Sequence, residues 1–197
     1  MPSLELSIIK NILDKSKNII LPELNIEYPI FIETGTYMGS TINKMKYIFD
    51  ELYTIEIDEK LYNNAKNKYK DTNKIKFYLG DSGKILNNII SIINNNAIFF
   101  LDGHYSSGIT GKGDKDVPLY EELNSIITQF NYYSIIIIDD VRLFGKGPNN
   151  KDNYQNENWE DININEILKI VKPKLLSHYY LPSKLHKQDR LILHLHS

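Results

Sequence analysis

At 197 residues, 42% hydrophobic and 24% charged, the chain has the size and make-up of one globular domain with a sizeable core. A net charge of -2 removes the general electrostatic case for nucleic acid or for an anionic membrane. The absence of cysteine excludes disulfides, thiolate chemistry and zinc–cysteine sites, and no apolar run approaches membrane-spanning length. The first residues, Met-Pro-Ser-Leu-Glu, lack the basic-then-apolar layout of a signal peptide, so the expectation is a soluble, cytoplasmic protein with no membrane insertion.

Residues 1–27 carry an apolar-periodic segment (Leu4, Ile8, Ile9, Ile12, Leu13) that predicts a helix packed on the edge of a domain spanning 28–197. A regular alternation follows. Strands are expected at 30–33, 52–57, 75–79, 97–101 and 134–138, and helices at 40–50, 59–69, 82–93 and 118–130. After a polar loop at 145–158 come a helix at 161–171 and two strands, 174–181 and 191–195, joined by a short basic connection. Ala97-Ile-Phe-Phe-Leu and Ile135-Ile-Ile-Ile are nearly continuous apolar runs, as expected of strands buried on both faces of a parallel sheet. The expected fold is therefore α/β. It is a Rossmann-like doubly wound sheet of about seven strands, mostly parallel with an antiparallel edge hairpin, and with helices on both faces.

In such folds ligands bind beyond the carboxyl ends of the strands. Each expected central strand ends in or at an acid: Glu33, Glu56, Asp81, Asp102 and the pair Asp139–Asp140. The first of these opens Glu33-Thr-Gly-Thr-Tyr-Met-Gly, an acid-x-Gly-x-x-x-Gly turn between strand and helix. The dinucleotide fingerprint instead offers bare backbone to a pyrophosphate. A leading carboxylate suits S-adenosylmethionine, which carries a sulfonium and an ammonium and no phosphate. The cofactor candidates here are Glu33, Thr34, Gly35, Thr36, Tyr37, Gly39, Ser40 and Thr41. Glu56, with Ile57 beside it, is placed to accept from two ribose hydroxyls. Asp58 competes for that role or caps the next helix. Asp81, with Ser82, accepts from the adenine amino group or caps the helix that follows. Glu121 and Glu122 are expected as favourable charge at a helix N-terminus.

Asp102, Asp139 and Asp140 come from adjacent strand ends, so their carboxylates could converge. If all were ionised they would repel, and a divalent cation would relieve that repulsion. All-oxygen ligation favours Mg²⁺, or Mn²⁺ or Ca²⁺, over zinc. The segment Tyr105–Pro118 is long, Gly-rich and polar. It is suited to a lid or to substrate contacts through Lys112, Asp114 and Asp116, or to a flexible solvated loop. Arg142 would touch substrate or pair with one of the acids.

The whole arrangement, over roughly residues 28–195, resembles the class I S-adenosylmethionine-dependent methyltransferases. Glu33-Thr-Gly-Thr-Tyr-Met-Gly looks like their first motif, Glu56 their second and Asp81 their third. Phe99-Phe-Leu-Asp-Gly-His and Ile136-Ile-Ile-Asp-Asp are similar to the acidic segments of the metal-dependent sugar O-methyltransferases of macrolide and aminocoumarin biosynthesis. That resemblance implies Asp102, Asp139 and Asp140 as metal ligands, with Asp102 also at the cofactor. It implies a general base at His104, where the family has Asp. An imidazole is a competent base near neutrality. The implied reaction is methyl transfer to a hydroxyl of a sugar or glycan. The alternatives are a catechol-type O-methyltransferase, a non-catalytic S-adenosylmethionine-binding module and, least favoured, an NAD-linked oxidoreductase. A homo-oligomer stays open: Tyr179, Tyr180 and the basic stretch 184–187 would suit an interface, the acceptor cleft or plain edge-strand surface.

Overall fold

The computed structural model describes residues 4–20, 26–153 and 156–197. Met1–Ser3 and residues 21–25 of the expected N-terminal segment lie outside it, as do Tyr154 and Gln155 of the expected polar loop.

The alternating apolar runs form one seven-stranded sheet in the order β3-β2-β1-β4-β5-β7-β6. The strands are β1 (Ile30–Thr34), β2 (Glu51–Glu56), β3 (Ile75–Leu79), β4 (Ala97–Leu101), β5 (Ser134–Ile138), β6 (Leu175–Leu181) and β7 (Arg190–Leu195). Strands β1 to β5 are parallel, and β7 runs antiparallel between β5 and β6. The chain order reverses between β1 and β4, which opens a crevice at their carboxyl ends.

The near-continuous apolar strands work because successive side chains point to opposite faces. From β4, Ala97, Phe99 and Leu101 enter one core, while Ile98 and Phe100 enter the other. In β5, Ile136 and Ile138 divide from Ile135 and Ile137 in the same way. The first core is covered by α4 (Ser82–Ile90), α5 (Leu119–Gln129) and α6 (Ile164–Val171) through residues such as Leu86, Leu123 and Ile167. The second is covered by α1 (Leu6–Ile19) and α2 (Ser40–Met45) through Ile9, Ile12, Ile42 and Met45. The remaining helix, α3 (Glu59–Lys68), buries Leu61 and Ala65. No helix among the described residues is long and apolar enough to cross a membrane.

Three of the helices are shorter than their periodicity suggests by three residues or more. Helix α2 ends at Met45, and α4 ends at Ile90 before a turn that buries Ile93. Helix α6 starts at Ile164, because the Asn163 side chain caps it by accepting from Glu166 N–H at 2.9 Å. The preceding residues are held away by Tyr120, whose hydroxyl donates to the Asp161 carbonyl and accepts from Asn163 N–H.

Candidate active site

The turn after β1 is built on backbone conformations that the sequence supplies. Gly35 has φ +83°, and a Cβ there would run into the Asp102 carbonyl oxygen at the end of β4. Tyr37 adopts φ 48°, uncommon for a bulky residue. That conformation aims its N–H at Glu56 Oε2, 2.7 Å away. The other oxygen of Glu56 accepts from Asp58 N–H at 2.9 Å. Glu56 is therefore a fixed acceptor that keeps lone-pair capacity for a ligand's donor. Burial raises its pKa, and the N–H groups of Asp58, Tyr37 and Ile57 oppose that rise. Asp58 is the helix cap, accepting from Leu61 N–H at 2.8 Å. Asp81 also caps, accepting from Gly83 N–H at 3.0 Å, and it faces the same cleft.

That cleft is lined by Gly35, Thr36, Tyr37, Ser40, Thr41, Glu56, Ile57, Asp81, Ser82, Asp102 and His104 among the expected residues. Its roof was only half legible. Tyr105, Thr110, Gly111, Gly113 and Lys115 fold the 105–117 loop back over it. Gly111 packs on Ile57 and Gly113 on Asp81, so closely that a Cβ at either would collide. Lys112 and Asp114, expected as substrate contacts, are engaged in ion pairs with Asp116 (2.8 Å) and Lys84 (2.7 Å).

Glu33, Thr34 and Gly39 do not line the cleft. Because β1 is buried on both faces, Glu33 sits below the cleft floor, 1% exposed, and accepts from Thr54 Oγ1 at 2.8 Å. Burial drives its pKa to about 8, against the Thr54 hydrogen bond and with help from the Glu56 charge. Thr34 Oγ1 accepts from Asp102 N–H at 3.3 Å and so ties β1 to β4. Gly39, at φ +70°, starts α2, and its carbonyl accepts from Tyr69 Oη at 3.0 Å. Glu122 is not a surface charge at a helix end. It is 2% exposed and accepts from Ser82 Oγ at 2.6 Å, and burial raises its pKa to about 7.

The second group of acids is arranged differently from the expected triad. Asp140 takes φ 60°, a left-handed turn that Asp tolerates, and the two carboxylates of the pair go to different partners. Asp139 Oδ1 lies 3.2 Å from Arg190 Nε. Asp140 Oδ1 pairs with Arg142, which also holds Asp189 Oδ2 at 2.8 Å. Burial and the neighbouring Asp140 push Asp139 up to about 7, with Arg190 opposing. Asp102 is held well above the usual carboxylate range, first by burial and then by Asp139, Asp140 and Glu33.

His104, expected as the base, is wedged among acids. Its Nδ1 is 3.6 Å from Asp102 Oδ1, and its Nε2 is 3.3 Å from Asp140 Oδ2 and 3.5 Å from Glu157 Oε2. Trp159 packs against the ring at 4.9 Å and donates from Nε1 to Glu157 Oε2 at 2.6 Å. Among the described residues, the groups of potential ligands whose donor atoms converge are therefore Asp102–His104–Asp140 and Asp139–Asp140–Asp189, not Asp102–Asp139–Asp140. The acids of the second are already paired with the Arg142 and Arg190 guanidinium groups. The first, with two carboxylates and an imidazole, fits a divalent cation.

Glu157, Trp159, Asp189 and Arg190 were missed. Glu157 sits in the polar tract read as a loop, and Trp159, the only tryptophan of the chain, lies just past its end. A lone buried-type residue beside so polar a stretch was the signal available. Asp189 and Arg190 follow the basic connection and carried no local signal.

No family model and no curated protein sequence matches the chain. Solved structures do match in fold. An S-adenosylmethionine-dependent methyltransferase from Clostridium acetobutylicum superposes with a TM-score of 0.54 at 13% identity, covering 98% of this chain and 93% of that one. SMU.1697c of Streptococcus mutans, solved in complex with SAH, gives 0.55 at 13% identity over 93% and 97% of the two chains. The SAH-bound methyltransferase PaMTH1 of Podospora anserina gives 0.56 at 15% identity over 86% and 72%. With its seven-stranded sheet, antiparallel edge pair and surrounding helices, the chain has the Rossmann-like fold of the class I methyltransferases.

Proposed function

We propose that the chain is an S-adenosylmethionine-dependent O-methyltransferase acting on a hydroxyl of a sugar or glycan, assisted by a divalent cation such as Mn²⁺ or Mg²⁺. The observation that carries this reading is an adjacency. The cleft bounded by the Gly35 turn, Glu56 and Asp81 opens directly onto Asp102 and His104, and the Asp102–His104–Asp140 donors stand at its end. The SAH held by two structures of the same fold supports the cofactor.

In this reading the spare lone pairs of Glu56 take the ribose hydroxyls, and Asp81 and Ser82 face the adenine. The glycine turn lets the cofactor approach the backbone, and the 105–117 loop keeps water from the sulfonium. A cation held by Asp102, His104 and Asp140 would supply Lewis acidity to the acceptor hydroxyl. The methyl carbon passes from sulfonium sulfur to hydroxyl oxygen, S-adenosylhomocysteine leaves, and the hydroxyl proton goes to solvent. Positioning of the two reactants across Gly103 provides much of the rate.

The test is calorimetric titration with S-adenosylhomocysteine, followed by incubation of S-adenosylmethionine with a panel of mono- and oligosaccharides under Mn²⁺, Mg²⁺ or EDTA. Micromolar binding and a sugar heavier by one methylene, only with metal, are expected. Binding without transfer to any acceptor would leave a non-catalytic module. No binding would overturn the reading.

A further inference from the structure

The segment Asp102-Gly-His104 leaves β4 with two potential ligands separated by one glycine. Gly103 is required there: a Cβ would come within 2.9 Å of the Thr34 side chain. The tight turn brings the imidazole back onto the strand ends, where its side chain is only 3% exposed. Trp159 covers the ring. Nε2 is buried yet has no hydrogen-bond partner among the described residues, although two carboxylates flank it. A buried nitrogen aimed at acids without a hydrogen bond lacks a partner that the site should provide.

We infer that Asp102, His104 and Asp140 form a mixed nitrogen–oxygen site for a first-row transition-metal dication, in which His104 is a ligand and not the proton acceptor. One donor atom from each of these residues lies within 4.8 Å of the other two. Cis ligands on such an ion, at bond lengths of about 2.0–2.2 Å, stand roughly 3 Å apart. His104 Nε2 and Asp140 Oδ2, at 3.3 Å, already have that spacing, whereas the 3.6 Å approach of Asp102 is to the other ring nitrogen, Nδ1, so its carboxylate must turn to share the ion. Asp140 divides its oxygens suitably: Oδ1 goes to Arg142, which leaves Oδ2 facing the imidazole. Glu157, tethered by Trp159, stands on the ligand side of the ring, 3.5 Å from Nε2. Asp139 is excluded because Arg190 holds it.

The nitrogen changes the metal. Mg²⁺ prefers an all-oxygen octahedral shell, whereas imidazole suits Mn²⁺, Fe²⁺, Co²⁺ or Zn²⁺. Use of the ion rests on the methyltransferase reading, but its binding does not.

The experiment is titration of the full chain with Mn²⁺, followed by loss of the free-ion EPR signal, and with Mg²⁺ as competitor. Pulsed EPR on the Mn²⁺-loaded protein reports nitrogen coupling. S-adenosylhomocysteine affinity is measured in parallel as a check on the fold and on the cofactor reading. Mn²⁺ should bind at least about tenfold tighter than Mg²⁺, with nitrogen coupling present. His104→Ala should lose the coupling and at least about tenfold in affinity, while Asp139→Asn keeps both. Wild-type protein that binds no Mn²⁺, or His104→Ala protein that binds it unchanged, would overturn the inference even if S-adenosylhomocysteine binds normally. Mn²⁺ binding without S-adenosylhomocysteine binding would instead retain the metal site and sink the methyltransferase reading.

Discussion

Glu56, Asp58 and Asp81, at the ends of β2 and β3, are each matched by backbone N–H groups of the turns beside them. Asp102, Asp139 and Asp140, at the ends of β4 and β5, are matched by side chains: Arg142, Arg190 and the flanked His104. Backbone donors are placed by the fold itself and keep their direction. Of the side-chain partners, His104 and Arg142 lie two residues from the acids they meet and Arg190 comes from a distant segment; together they leave directions unfilled, so the second half of the site is prepared for a further charged partner. One sheet edge is a rigid socket and the other is an electrostatic centre.

The largest effect should come from the acid that breaks this pattern, Glu33, which belongs to the socket but has a threonine hydroxyl as its partner. Its folded pKa of about 8 lies above the unfolded value, so folding favours the neutral acid. The stability this gives is present below the unfolded pKa of 4.5 and is lost as pH rises towards about 8. Glu33→Gln is neutral at every pH and retains an acceptor for Thr54. It should match wild type in urea unfolding at acid pH and exceed it by about 3–4 kcal/mol near pH 8. Equal stability of the two proteins at both pH values would place a charge in the floor of the socket.

Glu56→Gln attacks the socket proper. An amide can accept at only one of its two ends, so either Tyr37 or Asp58 loses its acceptor. A loss of about 1–3 kcal/mol in S-adenosylhomocysteine binding is expected by calorimetry, with Mn²⁺ affinity unchanged. Equal losses in both ligands would mean that the two halves are not separable. The smallest effect belongs to Trp159→Phe, which keeps the ring against His104 but removes the donor to Glu157. A cost of about 1 kcal/mol in thermal or urea unfolding is expected, with a weakened metal site and an intact cofactor site.

The contrast also decides what the sequence could reveal. Strands β3, β4 and β5 were readable to the residue, because a short apolar run bounded by turn residues is a local signal. The socket was readable for the same reason: Glu56 and its turn partners lie within a few residues of strand ends. The helices ran long in prediction because periodicity continues past the point where a cap or turn ends hydrogen bonding, as at Met45 and Ile90. The acids of the centre were visible, and so were His104 and Arg142 beside them, but the distant partners were not. Arg190 reaches Asp139 across a separation of 51 positions, and Glu157 reaches His104 across 53, by packing that no local pattern encodes. Glu122 failed for the complementary reason: its position in the first turn of α5 resembles a surface helix start, but it is buried and accepts from Ser82, 40 residues earlier in the chain.

The place of β7 has a consequence for biosynthesis. Its residues are all buried, between β5 and β6, and the segment entering it supplies Asp189 and Arg190 to the acidic centre. During translation, residues 30–101 can pair β1 through β4 and set the Glu56 and Asp81 side of the cofactor cleft. Meanwhile β5 waits with one edge open until residue 195 has left the ribosome. Through that interval Ile135-Ile-Ile-Ile is an unpaired apolar edge strand, the kind of segment that nascent-chain chaperones shield.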